Sequence, residues 1–160
     1  MENNKGINWK TLIICLLIPL AVGGASAFLI TDSMKRFAEL NQPALSPPGW
    51  LFPIVWTVLY VLMGIASYLV YTSGDDRGAV RTALTVYGVQ LAMNFVWPLL
   101  FFNMGAYLFA FVWLVVLWVL ILITLVLFYR IRRGAGWLML PYLLWTAFAG
   151  YLNLFIFILN

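Results

Sequence analysis

The residues of this chain best suited to meet a ligand are aromatics and amides set at helical spacing. At about 100° per residue, Tyr87, Gln90, Asn94 and Trp97 fall on one face. Tyr142, Trp145, Ala149 and Asn153 form a second stripe at i, i+3, i+7 and i+11. Phe52, Trp56 and Tyr60 form a third at i, i+4 and i+8. Brought together, three such stripes give flat aromatic walls with a few indole and amide hydrogen-bonding groups. That combination suits a large, flat, apolar ligand. Two plainer readings stand beside it. Aromatic stripes also serve as packing, and the Gln90 and Asn94 amides can simply hydrogen-bond to neighbouring helices.

Other chemistries are excluded by residue type. The chain has no histidine and one cysteine, Cys15, inside an apolar run. This removes histidine-based metal sites, histidine haem ligation, Ser-His or Cys-His nucleophiles, and any intrachain disulfide. No Gly-rich phosphate loop, metal-ligand cluster or Ser/Lys dyad is present. The expectation is no metal and no required cofactor.

The elements that must carry the stripes follow from composition. Of 160 residues, 65% are hydrophobic and 9% charged. A soluble domain is about half apolar and about a quarter charged, so this chain could not cover a water-facing surface. A spanning helix needs roughly 20 mostly apolar residues. Five runs meet this: approximately Thr11–Ile30, Trp50–Tyr71, Ala79–Phe101, Ala106–Tyr129 and Trp137–Leu159. Backbone groups left unpaired in hydrocarbon are costly, so the spans are helices or a closed barrel. Runs this long without strict alternation exclude the barrel. The predicted fold is all-α, a single membrane domain of five transmembrane helices. No acidic residue lies well inside a span, which argues against an ion pump or ion-coupled carrier.

Charge sets the expected orientation. The net charge of +4 is confined to short connectors, a topology signal rather than a nucleic-acid footprint. Lys5, Lys10, Arg77, Arg81, Arg130, Arg132 and Arg133 fall on one side, and only Lys35 and Arg36 on the other. This predicts a cytoplasmic N-terminus and an external C-terminus. Lys5 and Lys10 ahead of an apolar stretch, with Ala25-Ser26-Ala27, also resemble a cleavable signal. The apolar run continues through Phe28-Leu29-Ile30, which suits a retained helix better. The longest connector, residues 31–49, contains Pro43, Pro47 and Pro48 and is the expected lid. On the third span, Gly88 and Ala92 lie nearly opposite the amide face, a surface where another helix could approach closely.

Three segments carry a resemblance: SPPGWLFPIVWTVLYVLMGIAS, QLAMNFVWPLLFF and LPYLLWTAFAGYLNLFI. Their order, spacing and five-span layout resemble the translocator protein family (TspO/MBR), also called tryptophan-rich sensory proteins or peripheral-type benzodiazepine receptors. The resemblance covers about Gly23 to Asn160 and is to a bacterial member. It implies a five-helix bundle in the bacterial cell membrane, commonly a homodimer, with a pocket under the first external loop. It implies binding of porphyrins such as protoporphyrin IX and of isoquinoline carboxamides. By motif, Trp56, Gln90, Asn94, Trp97 and Trp145 match pocket positions, with Ala149 nearby. Pro47, Phe52 and Tyr60 match further wall positions.

The loop departs from the family pattern. Arg36 stands for a Trp, Phe37 for a Tyr, Gln42 for a Lys and Leu45 for a second Trp, so the loop side of the pocket is less aromatic and lacks one hydroxyl. Phe37 is kept as a ligand-binding position. No basic residue follows Tyr151, so the sterol motif is incomplete and sterol recognition is not carried over. The resemblance leaves three function classes: a porphyrin-binding sensor or regulator of tetrapyrrole handling, a light- and oxygen-dependent protoporphyrin-degrading enzyme using Trp56 and Trp145, and a porphyrin or lipid transporter. Expected partners are membrane lipid, the flat apolar ligand and a second copy of the chain, with no nucleic acid.

Overall fold

A computed structural model describes residues 6–160, so Lys5, part of the charge count above, lies outside the described residues. The five apolar runs are all long helices: α1 (Trp9–Leu29), α3 (Leu51–Tyr71), α4 (Arg77–Pro98), α5 (Tyr107–Ile131) and α6 (Arg133–Leu159). A short helix, α2 (Met34–Ala38), lies in the connector between α1 and α3. No strand occurs among the described residues. All five long helices are long and apolar enough to cross a bilayer. The chain is a multi-pass membrane protein.

Capping refines the predicted ends. Asn8 accepts from the Thr11 N–H at 3.2 Å, so α1 begins two residues earlier than its apolar run. Asp76 accepts from the Ala79 N–H at 2.9 Å and starts α4 at Arg77. The predicted end of the third span, Phe101, is corrected by Pro98. Proline lacks the N–H of a helical bond and crowds the carbonyl four residues back. The chain answers by widening into a π-helical turn, Leu99–Asn103, rather than stopping. The predicted start of the fifth span, Trp137, moves to Arg133, because the connector from α5 is Arg132 alone in an extended conformation.

The long helices close into a ring. α3 packs between α1 and α6, α5 between α6 and α4, and α4 against α1. The outward faces are apolar: Ile13, Leu17, Val112, Val116 and Leu144 are all exposed. Polar side chains are buried among the apolar residues of the centre. Gln90, Asn153 and Thr124 are fully buried, and Thr146 nearly so. In a lipid solvent such groups must find partners inside the protein: the Thr124 and Thr146 hydroxyls donate to carbonyls one turn back on their own helices, and the amides bond between helices.

Two glycines set how closely α1 and α3 approach. Pro19 leaves the Cys15 carbonyl without its usual helical donor. Gly64 of α3 lies against that carbonyl: a Cβ there would be 2.8 Å from the Cys15 oxygen and 2.8 Å from the Leu16 Cα. Farther along, a Cβ at Gly23 would fall 2.2 Å from the Tyr60 ring. Gly23 is therefore the slot into which Tyr60 lies, and this fixes where the phenol points.

Candidate functional site

The stripes predicted on three helices converge. A cavity of about 390 Å³ lies between α1, α3, α4 and α6, with residues of the 31–49 segment across its end. That volume is in the lower part of the range for small-molecule sites, roughly 300–1,000 Å³. Phe52, Trp56 and Tyr60 reach it from α3, Asn94 and Trp97 from α4, and Trp145 and Ala149 from α6. Phe37 reaches it from α2.

Two predicted residues are placed elsewhere. Pro47 is half-buried but does not line the cavity; its neighbour Ser46 does. The loop turns at Leu45, which adopts a left-handed φ of 69°, and this turn presents Ser46 inward. Gln90 is fully buried and lies off the cavity, one helical turn from Asn94. Tyr142 of α6 bonds to both amides; it engages only the Gln90 oxygen, and Gln90 Nε2 is buried without a partner away from the cavity. The Tyr60 hydroxyl donates to Asn94 Oδ1 at 2.7 Å, and Asn94 Nδ2 donates to the Tyr142 hydroxyl at 2.6 Å. Tyr142 in turn donates to Gln90 Oε1 at 2.7 Å. The plain reading of these amides is thus correct in part: both tie helices together, and Asn94 also faces the cavity.

The indoles differ in a way that bears on binding. Trp97 Nε1 donates to Asn153 Oδ1 at 3.0 Å, and Asn153 Nδ2 donates to the Tyr107 carbonyl at 2.8 Å. Trp113 and Trp118 donate to the carbonyls of Met93 and Leu143. Trp145 Nε1 is buried and has no acceptor. Its ring meets Phe52 edge-on at 6.0 Å and Phe148 at 5.5 Å. Trp56 stacks on Tyr60 at 5.8 Å and meets the edge of Tyr142 at 6.2 Å. A cavity lined this way offers flat apolar contact and, at Trp145, a buried donor without a partner.

The 31–49 segment is anchored to the bundle. Tyr151 donates to the Ala44 carbonyl at 2.7 Å. Asn160 accepts from the Asn41 N–H and donates to the Asn41 carbonyl, both at 3.1 Å. Ser33 bonds to Asn103, whose amide also reaches the Leu29 carbonyl at 3.1 Å. These bonds fix α2 and carry Met34, Phe37, Gln42 and Ser46 over the cavity.

Sequence reasoning missed Phe101 and Phe102, which line the cavity from the π turn. Their only advance signal was Pro98, which precedes the π turn. It also missed Gly23 and Ser26 of α1, which line the cavity without belonging to an aromatic or amide stripe. No group of three metal-ligating residues occurs among the described residues.

The TspO/MBR family model matches residues 15–159. Tryptophan-rich protein TspO of Chlorobaculum tepidum is 38% identical over 151 residues, covering 94% of this chain and 96% of its own. Protein CrtK of Rhodobacter capsulatus is 31% identical over 150 residues, covering 94% and 93%. Translocator protein of Bos taurus is 32% identical over 149 residues, covering 91% and 87%. The match runs through all five spans and every helix that lines the cavity, and on this basis the chain belongs to the TspO/MBR family.

Proposed function

We propose that the protein binds porphyrins of the protoporphyrin IX type, and related flat apolar ligands, within its membrane domain, as a sensor or regulator of tetrapyrrole handling. The observation that carries this is the unpartnered indole N–H of Trp145 at the wall of an otherwise aromatic cavity. A buried donor without an acceptor costs about 1–3 kcal/mol. A ligand that stacks on the aromatic walls and presents an acceptor to Trp145 offsets that cost. The relative named Tryptophan-rich sensory protein, 33% identical over 147 residues, agrees with a binding-and-sensing role. Titration of the purified protein with protoporphyrin IX in the dark, followed by tryptophan fluorescence, should show saturable quenching. Quenching that stays linear with ligand removes the reading.

A second reading, photo-oxidative degradation of the bound porphyrin, rests on Trp56. Its indole lies against the phenol rings of Tyr60 and Tyr142. Those rings are close enough to return an electron to an oxidised indole, and their hydroxyl protons are directed at the Asn94 and Gln90 oxygens. Illumination of the saturated complex distinguishes the readings: bleaching with a new absorbing product supports chemistry, and an unchanged spectrum supports binding alone. The alternating helices put Lys10, Arg77, Arg81, Arg130, Arg132 and Arg133 at one end of the bundle. In a bacterial cell membrane that end faces the cytoplasm. A cytoplasm-dependent reporter fused after Asn160 should be silent, and an active one reverses the orientation.

A further inference from the structure

The main cavity is not alone at the loop end of the bundle. A second chamber of about 400 Å³ lies between α2 and the π turn and reaches the first residue of α5. The two chambers share three side chains: Phe37, Phe101 and Phe102. Their rings touch one another, with centroids 5.7 Å apart for Phe37 and Phe101, 5.1 Å for Phe37 and Phe102, and 4.8 Å for Phe101 and Phe102. They form an aromatic partition. Phe101 and Phe102 stand on the same partition because the π turn rotates successive residues less than an α-helix does.

The chambers differ in chemistry. The main cavity carries no charged side chain on its lining, whereas the second is lined by Arg36 and Glu39 of the short helix and its cap, beside the Tyr107 ring. A flat apolar body fits the first and an ionised arm fits the second. A tetrapyrrole with propionate arms has both parts in one molecule, and the main cavity lies low in the size range for ligand sites.

We propose that the second chamber is a carboxylate subsite. Arg36 holds an acidic arm of the ligand whose flat body occupies the main cavity, the arm crossing at the edge of Phe37. The proposal rests on the tetrapyrrole reading above and adds the class of ligand: a flat apolar body with a free carboxylate. Arg36 is the charge that recognises the arm, since a guanidinium matches a carboxylate with paired donors. Glu39 opposes it, so the subsite is tuned by two groups of opposite sign on adjacent turns of one short segment. Arg36 is exposed, so the contribution is that of a screened ion pair.

The test compares protoporphyrin IX with its dimethyl ester, which keeps the flat body and loses both carboxylates. Dissociation constants are measured by fluorescence quenching at low and high salt, on the full chain and on Arg36→Gln and Glu39→Gln. Wild type should prefer the diacid by roughly fivefold at low salt, with the preference shrinking at high salt. Arg36→Gln should lose that preference by weakening the diacid alone. Glu39→Gln should tighten the diacid and leave the ester unchanged. Equal affinity of wild type for diacid and ester, or equal losses for both ligands in Arg36→Gln, overturns the subsite while the binding reading stands. Failure of both ligands to bind wild type overturns the two together. Both substitutions lie on an exposed segment, and an unchanged unfolding midpoint confirms that the fold is intact.

Discussion

Two tryptophans lining the same cavity should respond differently to the same substitution. Trp97→Phe removes a donor that Asn153 Oδ1 accepts at 3.0 Å, and Asn153 is fully buried. The amide oxygen is left without that partner. An orphaned buried acceptor costs about 1–3 kcal/mol, and interhelical hydrogen bonds in membranes reach about 1.7 kcal/mol, which favours the lower part of that range. A loss of about 1–2 kcal/mol is expected. Trp145→Phe removes a buried donor that has no acceptor at all. Relief of its desolvation offsets the ring area lost against Phe52 and Phe148. The empty protein should therefore stay within about 0.5 kcal/mol of wild type. In the complex the substitution does cost, because the ligand's acceptor loses its donor. Affinity for protoporphyrin IX should fall by about 5- to 30-fold, equivalent to about 1–2 kcal/mol. Unfolding by sodium dodecyl sulfate in mixed micelles, read by circular dichroism, measures the first quantity, and dark fluorescence titration measures the second. If Trp145→Phe destabilises the empty protein as much as Trp97→Phe does, the indole has a partner and the reasoning is wrong. Unchanged affinity would refute the ligand contact.

Tyr142→Phe breaks two bonds at once, leaving Asn94 Nδ2 and Gln90 Oε1 unpaired beneath the cavity. It should cost about 1–3 kcal/mol in the same unfolding assay, against roughly half for Tyr60→Phe, which breaks one bond; equal costs would contradict a continuous chain. Gly64→Ala should destabilise by about 1–3 kcal/mol, because its Cβ would meet backbone of α1 at 2.8 Å rather than a side chain able to move. A midpoint equal to wild type would show that α1 shifts freely. Gly88 and Ala92 are exposed, and a Cβ at Gly88 meets nothing within 4 Å, so that face is free for a second copy. We propose a homodimer through this face: wild type should run as a dimer in mild detergent by light scattering and Gly88→Leu should lower the dimer fraction, whereas a monomeric wild type or an unchanged fraction refutes it.

The site was legible where it depended on helical period alone. Asn94, Trp97, Trp145 and Ala149 share inward faces because an α-helix advances about 100° per residue, whatever it packs against. The same period could not separate Asn94 from Gln90, which sit four residues apart on one face. Tyr142, arriving from α6, bonds both, and only Asn94 faces the cavity. Likewise Pro47 and Ser46 are neighbours in the loop, and the left-handed turn at Leu45 decides which one faces inward.

The amino-acid sequence by itself determined that this chain crosses a membrane on five helices, because a run of about 20 apolar residues has no other low-energy state available in lipid. It determined the inward faces for the same local reason, since an amide turned toward hydrocarbon is left unpaired. The tertiary structure alone decided which inward groups were used up. Trp97 found Asn153 and Trp145 found nothing, although both are tryptophans on predicted pocket faces. It alone turned the strain at Pro98 into a π turn, and so set Phe101 and Phe102 against Phe37 as a wall between two chambers. Those outcomes depend on which atoms of distant helices come within about 3 Å of one another. A hydrogen bond is made or lost on that scale, and no spacing along a single helix specifies it.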